Sequence, residues 1–132
     1  GSDAFIREAW RWKHRLGGAM RQAGILAAAG SWALAHHVDR LAEDHENARN
    51  FAQRIGSIEG VTILNPEVET NLVFFDVAGT GWSSKEVESR LRERGVWIGA
   101  TGPTRMRAVT HLGVEKPAVD EAGELLSELF AS

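Results

Sequence analysis

Residues 70–95 read TNLVFFDVAGTGWSSKEVESRLRERG and join the pattern of a strand to that of a capped helix. Residues 72–77 are rich in valine and phenylalanine, which predicts a β-strand. Ser83 and Glu86 have the spacing of a capping box, which opens a helix. Gly95 predicts the end of that helix. The segment therefore supplies one strand and one helix of a mixed domain.

The residues on either side extend this pattern to a small sheet with helices. Further strands are predicted over residues 61–64, 96–100 and 106–112. Pro117 suits the first turn of a final helix. The order β-β-α-β-β-α suggests an α+β architecture in which a small, mostly antiparallel sheet carries helices on one face.

The N-terminal part of the chain, residues 3–57, has a different texture. It is rich in alanine, leucine, arginine and glutamate and contains no proline. We predict three helices, over residues 3–15, 20–37 and 38–55, because apolar residues recur there at helical spacing. The glycine pair at 17–18 destabilises a helix and separates the first two.

This helical part has apolar side chains without a partner layer in the sequence. Trp10, Trp12 and Trp32 lie on its helices, and no predicted sheet remains for them to cover. We therefore expect two parts. Residues 1–57 form a helical segment that links to and packs on a larger domain outside this chain, and residues 58–132 form a small α+β domain.

Composition excludes several classes of protein. The chain has 132 residues, of which 43% are hydrophobic and 25% charged, as in a soluble domain or a piece of one. Its net charge of -3 is scattered without a basic block, so no nucleic acid partner is expected. Without cysteine there is no disulfide or thiolate metal site. The longest apolar stretch, 23–35, falls short of the ~20 residues of a membrane span, so we expect a cytoplasmic protein without a membrane partner.

The short signatures of common catalytic sites are missing from the sequence. It contains no P-loop, no GxSxG and no HExxH motif. His36 and His37 are adjacent on a predicted helix and point about 100° apart. His37 and His45 are two helical turns apart, so neither pair favours a shared metal ion. We expect no metal site and interpret the histidines as polar surface or helix-end residues.

Two arginines have both a structural and a functional interpretation. Arg107 lies in a predicted strand, where its guanidinium either faces solvent or holds a carboxylate by two parallel hydrogen bonds. Arg21 lies in the glycine cluster at 17–24, which is either a helix break or a helix N-terminus that holds an anion. Asn71 and His111 are further polar candidates, and each is more often structural than functional.

Longer segments resemble the low-specificity L-threonine aldolases. Residues 12–30 resemble the RWRKMxGGGMRQxGILAAAG stretch of that family, and residues 41–48 resemble its RLAEDHxNA segment. Residues 70–75 are similar to its strand that begins with Thr-Asn, and residues 107–112 are similar to its RxVTHLDV segment. The resemblance covers almost the whole chain in the same order.

The resemblance implies an aspartate-aminotransferase-like fold with a large cofactor-binding domain and a smaller C-terminal domain. It implies cleavage of L-threonine, L-allo-threonine and related β-hydroxy-α-amino acids to glycine and an aldehyde. The implied cofactor is pyridoxal 5'-phosphate, which forms a Schiff base with a lysine. In the family that lysine precedes the segment at which this chain begins. We therefore expect no catalytic residue in this chain, no activity from it alone, and a homo-oligomer for the whole enzyme.

The resemblance also assigns residues. Arg107 matches the arginine that binds the substrate α-carboxylate, and Arg21 matches an arginine that contacts the cofactor phosphate, in a neighbouring subunit's site. Lys13 and His14 stand where the family reads arginine and lysine, so they are expected beside that phosphate.

Two other interpretations fit the same residues. One is a non-enzymatic interaction module that reuses this half of the fold. The other keeps the fold and changes the reaction, either to a β-eliminating lyase that uses the same cofactor or to an aldolase for aryl substrates. The sequence does not separate these reactions, because the pocket for the aldehyde side is expected mostly upstream.

Overall fold

The computed structural model describes residues 1–131 and contains two compact units, Gly1–Val38 and the part of the chain from Asp39 onwards. The order of elements is the predicted one, helices followed by β-β-α-β-β-α. The elements are α1 (Asp3–Arg15), α2 (Ala23–His36), α3 (Leu41–Ile55), β1 (Thr62–Ile63), β2 (Leu72–Asp76), α4 (Ser84–Glu93), β3 (Gly99–Ala100), β4 (Arg105–Val109) and α5 (Lys116–Ala131), with a 3-10 turn at Ala78–Thr80 before α4.

The first unit consists of α1 and α2, and neither helix contains a buried residue. Ser2 caps α1 by accepting a hydrogen bond from the Phe5 N–H at 3.4 Å. α2 begins at Ala23 and not at residue 20 as predicted, because Gln22 adopts a left-handed backbone conformation with a φ of 54°. Small and apolar residues occupy most of the circumference of α2, as in helices that are surrounded within larger proteins.

The second unit contains an antiparallel sheet with the strand order β1-β2-β4-β3. In the central pair of strands, Leu72 lies opposite Val109 and Phe74 lies opposite Arg107. On the other side of β4, Gly99 of β3 also lies opposite Arg107. Arg107 is therefore held in the middle of the sheet, with a neighbour on each side.

One face of the sheet forms the core with α3, α4 and α5. Phe51 on α3 meets Phe75 on β2 edge-on, with 6.2 Å between the ring centroids. This arrangement confirms the α+β prediction of helices on one face of an antiparallel sheet. The buried apolar residues of the sheet and these helices are Ala48, Phe51, Ala52, Ile55, Val73, Phe75, Val87, Leu91, Met106, Ala108, Val119, Ala122 and Leu126.

α3 belongs with the sheet and not with the first two helices. It contacts β2 and α5. Arg54 near its end pairs with Asp120 at 3.3 Å and with Glu124 at 3.2 Å. The Arg54 side chain also lies across Gly123, where a Cβ would collide with it. The predicted boundary between residues 57 and 58 therefore does not coincide with the division into compact units, which falls before α3.

β3 is shorter than the predicted strand 96–100. The Val96 N–H donates to the Leu91 carbonyl at 2.9 Å, so the end of α4 holds this residue. Pairing with β4 begins only at Gly99. The hydrogen bond from Val96 to the end of α4 therefore takes the place of the strand pairing expected at the start of the segment 96–100.

Candidate functional site

The face of the sheet opposite the core carries the candidate site. Successive side chains of a strand point to opposite faces, so residues that alternate with the buried Met106 and Ala108 point away from the core. We call this surface the open sheet face, and its residues are Leu72, Phe74, Asp76, Gly99, Arg105, Arg107 and Val109.

Arg107 is exposed on this face and has no internal partner. Its guanidinium makes no hydrogen bond, ion pair or ring contact with any residue in the described range 1–131. Arg40 is paired with Asp44 at 3.2 Å and Arg94 with Glu128 at 2.8 Å, whereas Arg49 and Arg105 share with Arg107 the lack of a side-chain partner among residues 1–131. A fixed backbone and an unpaired planar fork together give Arg107 the geometry that holds a carboxylate in two parallel hydrogen bonds.

Arg105 shares the open sheet face but has different surroundings. The Thr101 N–H donates to its carbonyl at 2.8 Å, at the end of the strand pair. Asp76 lies opposite Arg105, yet its carboxylate accepts hydrogen bonds from the Ala78 N–H at 2.8 Å and from the Thr104 hydroxyl at 3.1 Å. Asp76 therefore braces the turn after β2, and neither strand arginine is neutralised by it.

The basic residues assigned to the cofactor phosphate all lie in the first unit. Lys13 Nζ stands 4.4 Å from the Trp10 ring centroid, and the His14 ring is 5.7 Å from the same indole. Arg21 lies between the two helices, is exposed, and has no contact partner among residues 1–131. The structure thus brings Lys13 and His14 together around Trp10, whereas Arg107 belongs to the other unit.

The environments of the lysines in this chain differ from that of a lysine that binds a cofactor covalently. A lysine that attacks a carbonyl is activated in a desolvated pocket or beside another cation. Lys85 is instead exposed and paired with Glu88 at 3.0 Å, and Lys116 is exposed and paired with Asp120 at 3.0 Å. Lys13 faces an exposed indole. These environments fit surface lysines and do not fit covalent attachment of a cofactor.

Asn71 and His111 have structural contacts. The Asn71 side chain donates to the Thr110 carbonyl at 2.7 Å, and the Thr110 N–H donates to the Asn71 carbonyl at 3.0 Å. His111 Nδ1 accepts from the Gly113 N–H at 3.1 Å in the turn after β4. That turn ends β4 at Val109, earlier than the predicted residue 112.

Three surface acids have lowered pKa values, and none lies on the open sheet face. The Ser83 hydroxyl, by its hydrogen bond, lowers the pKa of Glu86. The Lys85 ammonium lowers the pKa of Glu88, and the Lys116 ammonium lowers that of Asp120. The charged side chains of the open sheet face itself are Asp76, Arg105 and Arg107.

Two kinds of feature are absent from the described residues, namely a metal-binding cluster and a membrane-spanning helix. Among residues 1–131, no group of three or more histidines and acids is arranged to hold a metal ion. Over the same range, no helix combines the length and apolar character that crossing a membrane requires.

Comparison with known proteins agrees with the resemblance. The low-specificity L-threonine aldolase 1 of Arabidopsis thaliana is 33% identical over 112 residues, which are 84% of this chain and 31% of that protein. The low specificity L-threonine aldolase of Escherichia coli (strain K12) is 36% identical over 121 residues, which are 92% of this chain and 34% of that protein. The chain thus spans about a third of the length of these relatives.

A solved structure and a family model complete the comparison. The structure of MppP soaked with the product 2-ketoarginine matches 71% of this chain and 28% of its own, with a TM-score of 0.59 and 17% identity, which shows a shared fold. The model of the beta-eliminating lyase family matches residues 1–79, which include both first-unit helices, α3, β1 and β2. The chain belongs to the beta-eliminating lyase family.

Proposed function

We propose that this chain is the C-terminal part of a pyridoxal-phosphate-dependent aldolase that cleaves L-threonine, L-allo-threonine and related β-hydroxy-α-amino acids to glycine and an aldehyde. The family supports lyase chemistry. The names of the relatives from Arabidopsis thaliana and Escherichia coli support threonine as substrate. In this proposal the chain contributes substrate binding, and the preceding part of the polypeptide contributes the cofactor-bearing lysine, so the chain alone is inactive.

One observation carries the proposal, namely the unpaired guanidinium of Arg107 in the middle of the open sheet face. Every β-hydroxy-α-amino acid has an α-carboxylate, and two parallel N–H donors match its two oxygens. Because backbone pairing holds Arg107 on both sides, its side chain leaves the sheet in one fixed direction, on the open sheet face. That direction orients the rest of the substrate, and orientation determines which bond is aligned to break.

We propose that residues of the first unit bind the phosphate of the cofactor. When bound, pyridoxal phosphate supplies the electron sink for the carbon–carbon bond that breaks. In our proposal Arg21 holds its phosphate, because Arg21 is exposed and without a partner among residues 1–131. We propose Lys13 and His14 as further contacts to the phosphate, and in the structure both of them contact Trp10.

The remaining polypeptide is the partner that we propose for the first unit. Neither of its helices buries a residue, and Trp32 and Leu34 are 61% and 74% exposed. Large apolar surfaces of this kind are normally covered in soluble proteins. We propose that the large domain covers them and that subunits of a homo-oligomer meet nearby.

The experiment compares Arg107→Lys with Arg105→Lys in the full-length protein. Replacing the planar fork with a point charge leaves the carboxylate incompletely bonded, which costs about 2–4 kcal/mol, or about 30- to 900-fold in kcat/KM for threonine. Arg105→Lys, two residues away on the same face, leaves kcat/KM near the wild-type value. Loss of activity in Arg105→Lys alone moves the anchor to that residue, and full activity in both variants removes the carboxylate role.

β-Elimination is the second candidate, because the matching family is described by that reaction. The two reactions give different products from threonine. Aldol cleavage gives glycine and acetaldehyde, whereas elimination of water followed by hydrolysis gives 2-oxobutanoate and ammonia. Product analysis of the wild-type full-length protein therefore decides between them, and we expect glycine and acetaldehyde in equal amounts.

A further inference from the structure

Gly99 is a glycine inside a strand pair, directly opposite the candidate anchor Arg107. Glycine weakens a strand, since it has no side chain to pack and loses more conformational freedom than other residues. Where a strand keeps a glycine, the usual reasons are a bulge, a left-handed backbone, or the close approach of a ligand or another backbone.

Neither a bulge nor a left-handed backbone explains the glycine at residue 99. The pairing runs from Gly99 opposite Arg107 to Ala100 opposite Met106 without an inserted residue, so there is no bulge. Gly99 is not among the glycines with positive φ. A Cβ added to it would meet no atom within 4 Å. By contrast, a Cβ added to Gly60 would lie 2.5 Å from a backbone carbon, so that glycine is required by packing.

Thr101 and Arg105 form a comparable pair in the same two strands, but there the residue opposite the arginine has a side chain. Continuing the pairing by one residue places Thr101 beside Arg105, and the Thr101 N–H donates to the Arg105 carbonyl at 2.8 Å. A β-branched side chain therefore stands next to Arg105, while the position next to Arg107 is empty. On its other side Arg107 is bordered by Phe74, which is half-buried. The approach to its guanidinium is open over Gly99.

We infer that Gly99 keeps the space beside the Arg107 guanidinium free for the carboxylate of an α-amino acid. A strand glycine often marks a place where a ligand approaches the backbone closely, and here the vacant position lies directly across the strand pair from Arg107. A side chain at residue 99 would project into that space on the same face as Arg107. Gly99 is therefore a positioning and specificity residue that acts through Arg107, and this inference rests on the proposed function of Arg107.

The test uses the full-length protein with its cofactor and the variant Gly99→Thr, which gives Arg107 the neighbour that Arg105 has. Gly99→Ala is a smaller second variant, and Thr101→Val is the matched control. The dissociation constants of glycine and of methylamine, which lacks the carboxylate, are measured by calorimetry together with Tm. We expect Gly99→Thr to weaken glycine binding about tenfold or more, because one of two charge-assisted hydrogen bonds is lost.

The control readouts separate this role from a structural one. Methylamine affinity is expected to stay unchanged in Gly99→Thr, and Tm is expected to stay or rise because threonine favours strands. Gly99→Ala should weaken glycine binding less than Gly99→Thr does, and Thr101→Val should not weaken it. Equal weakening of glycine and methylamine would overturn the inference, since the change would not be at the carboxylate.

Failure of the inference and failure of the proposed function give different results. If Arg107→Lys weakens glycine binding while Gly99→Thr and Gly99→Ala do not, the space over Gly99 has no role in binding. Arg107 then remains the proposed anchor of the carboxylate. If neither Arg107→Lys nor Gly99→Thr weakens glycine binding, Arg107 is not the carboxylate anchor, and the inference is overturned with it.

Discussion

In the part of the chain that begins at Asp39, Phe75 and Leu126 are fully buried, whereas in Gly1–Val38 the comparable side chains Trp32 and Leu34 are 61% and 74% exposed. Both parts contain apolar residues at the spacing of regular structure. Only the second part supplies two layers, a sheet and the helices that cover it. Apolar periodicity therefore predicts an element in both parts, but it predicts a core only where the same chain provides the facing layer.

The largest effect expected from this comparison concerns self-association. We predict that the isolated 132-residue chain associates in a concentration-dependent manner and that a chain starting at Asp39 does not. The first unit exposes Trp10, Trp12 and Leu34, and covering such a surface commonly involves an interface of ~1,600 Å². Light scattering over a wide concentration range measures the mass of each chain.

Substitutions provide the control for this prediction. Replacing Trp32 and Leu34 with glutamine should weaken association while leaving the fold of the second unit intact, as judged by its circular dichroism. A clean monomer at all concentrations for the unaltered chain would contradict the prediction, and the contrast between the two units would then have no consequence in solution.

The next largest effect is on stability. We predict that Phe75→Ala lowers the free energy of unfolding of the second unit by about 3–5 kcal/mol, because Phe75 is fully buried and its removal leaves a cavity beside Phe51. Trp32→Ala in the first unit should change it by less than ~0.5 kcal/mol, since Trp32 is exposed. Urea denaturation followed by circular dichroism measures both values. Equal losses would mean that the two units unfold as one.

The same contrast explains what the sequence could predict. The capping box of Ser83 and Glu86 and the order of the elements depend on residues close together in the chain, and both predictions are confirmed. The lengths of α2 and β3 depend on single backbone details, the left-handed Gln22 and the Val96 N–H bonded to Leu91, which periodicity does not contain. The element bounds were therefore less accurate than the element types.

The sequence likewise predicts one part of the candidate site, the residue Arg107, but not the residues that surround it. The strand position of Arg107 and the resemblance of residues 107–112 make it a candidate from the sequence alone. That Gly99 and Phe74 flank it depends on the register of three strands that are far apart in sequence. Register is set by tertiary packing of the buried face, so the open side beside Arg107 became visible only in the structure.

The smallest expected effect lies within the second unit, at the capping box that the sequence predicted. The Glu86 carboxylate accepts hydrogen bonds from the Ser83 hydroxyl at 2.6 Å and from the Ser83 N–H at 3.0 Å, and these bonds lower its pKa below its usual range. Since the folded-state pKa is lower than the unfolded one, the stabilisation is fully present above the unfolded pKa and is lost as pH falls through the folded pKa.

We predict that Glu86→Gln lowers Tm slightly at pH 7, because glutamine keeps an acceptor but not the charge. The difference in Tm from wild type should vanish at acidic pH, once Glu86 is protonated in both states. Glu93→Gln, at the last turn of the same helix, is the control and should change Tm little at pH 7, because it removes an exposed ion pair with Arg90 together with a negative charge that opposes the helix dipole. A Tm difference for Glu86→Gln that stays constant from neutral to acidic pH would show that the box acts through its shape and not through the charge of Glu86.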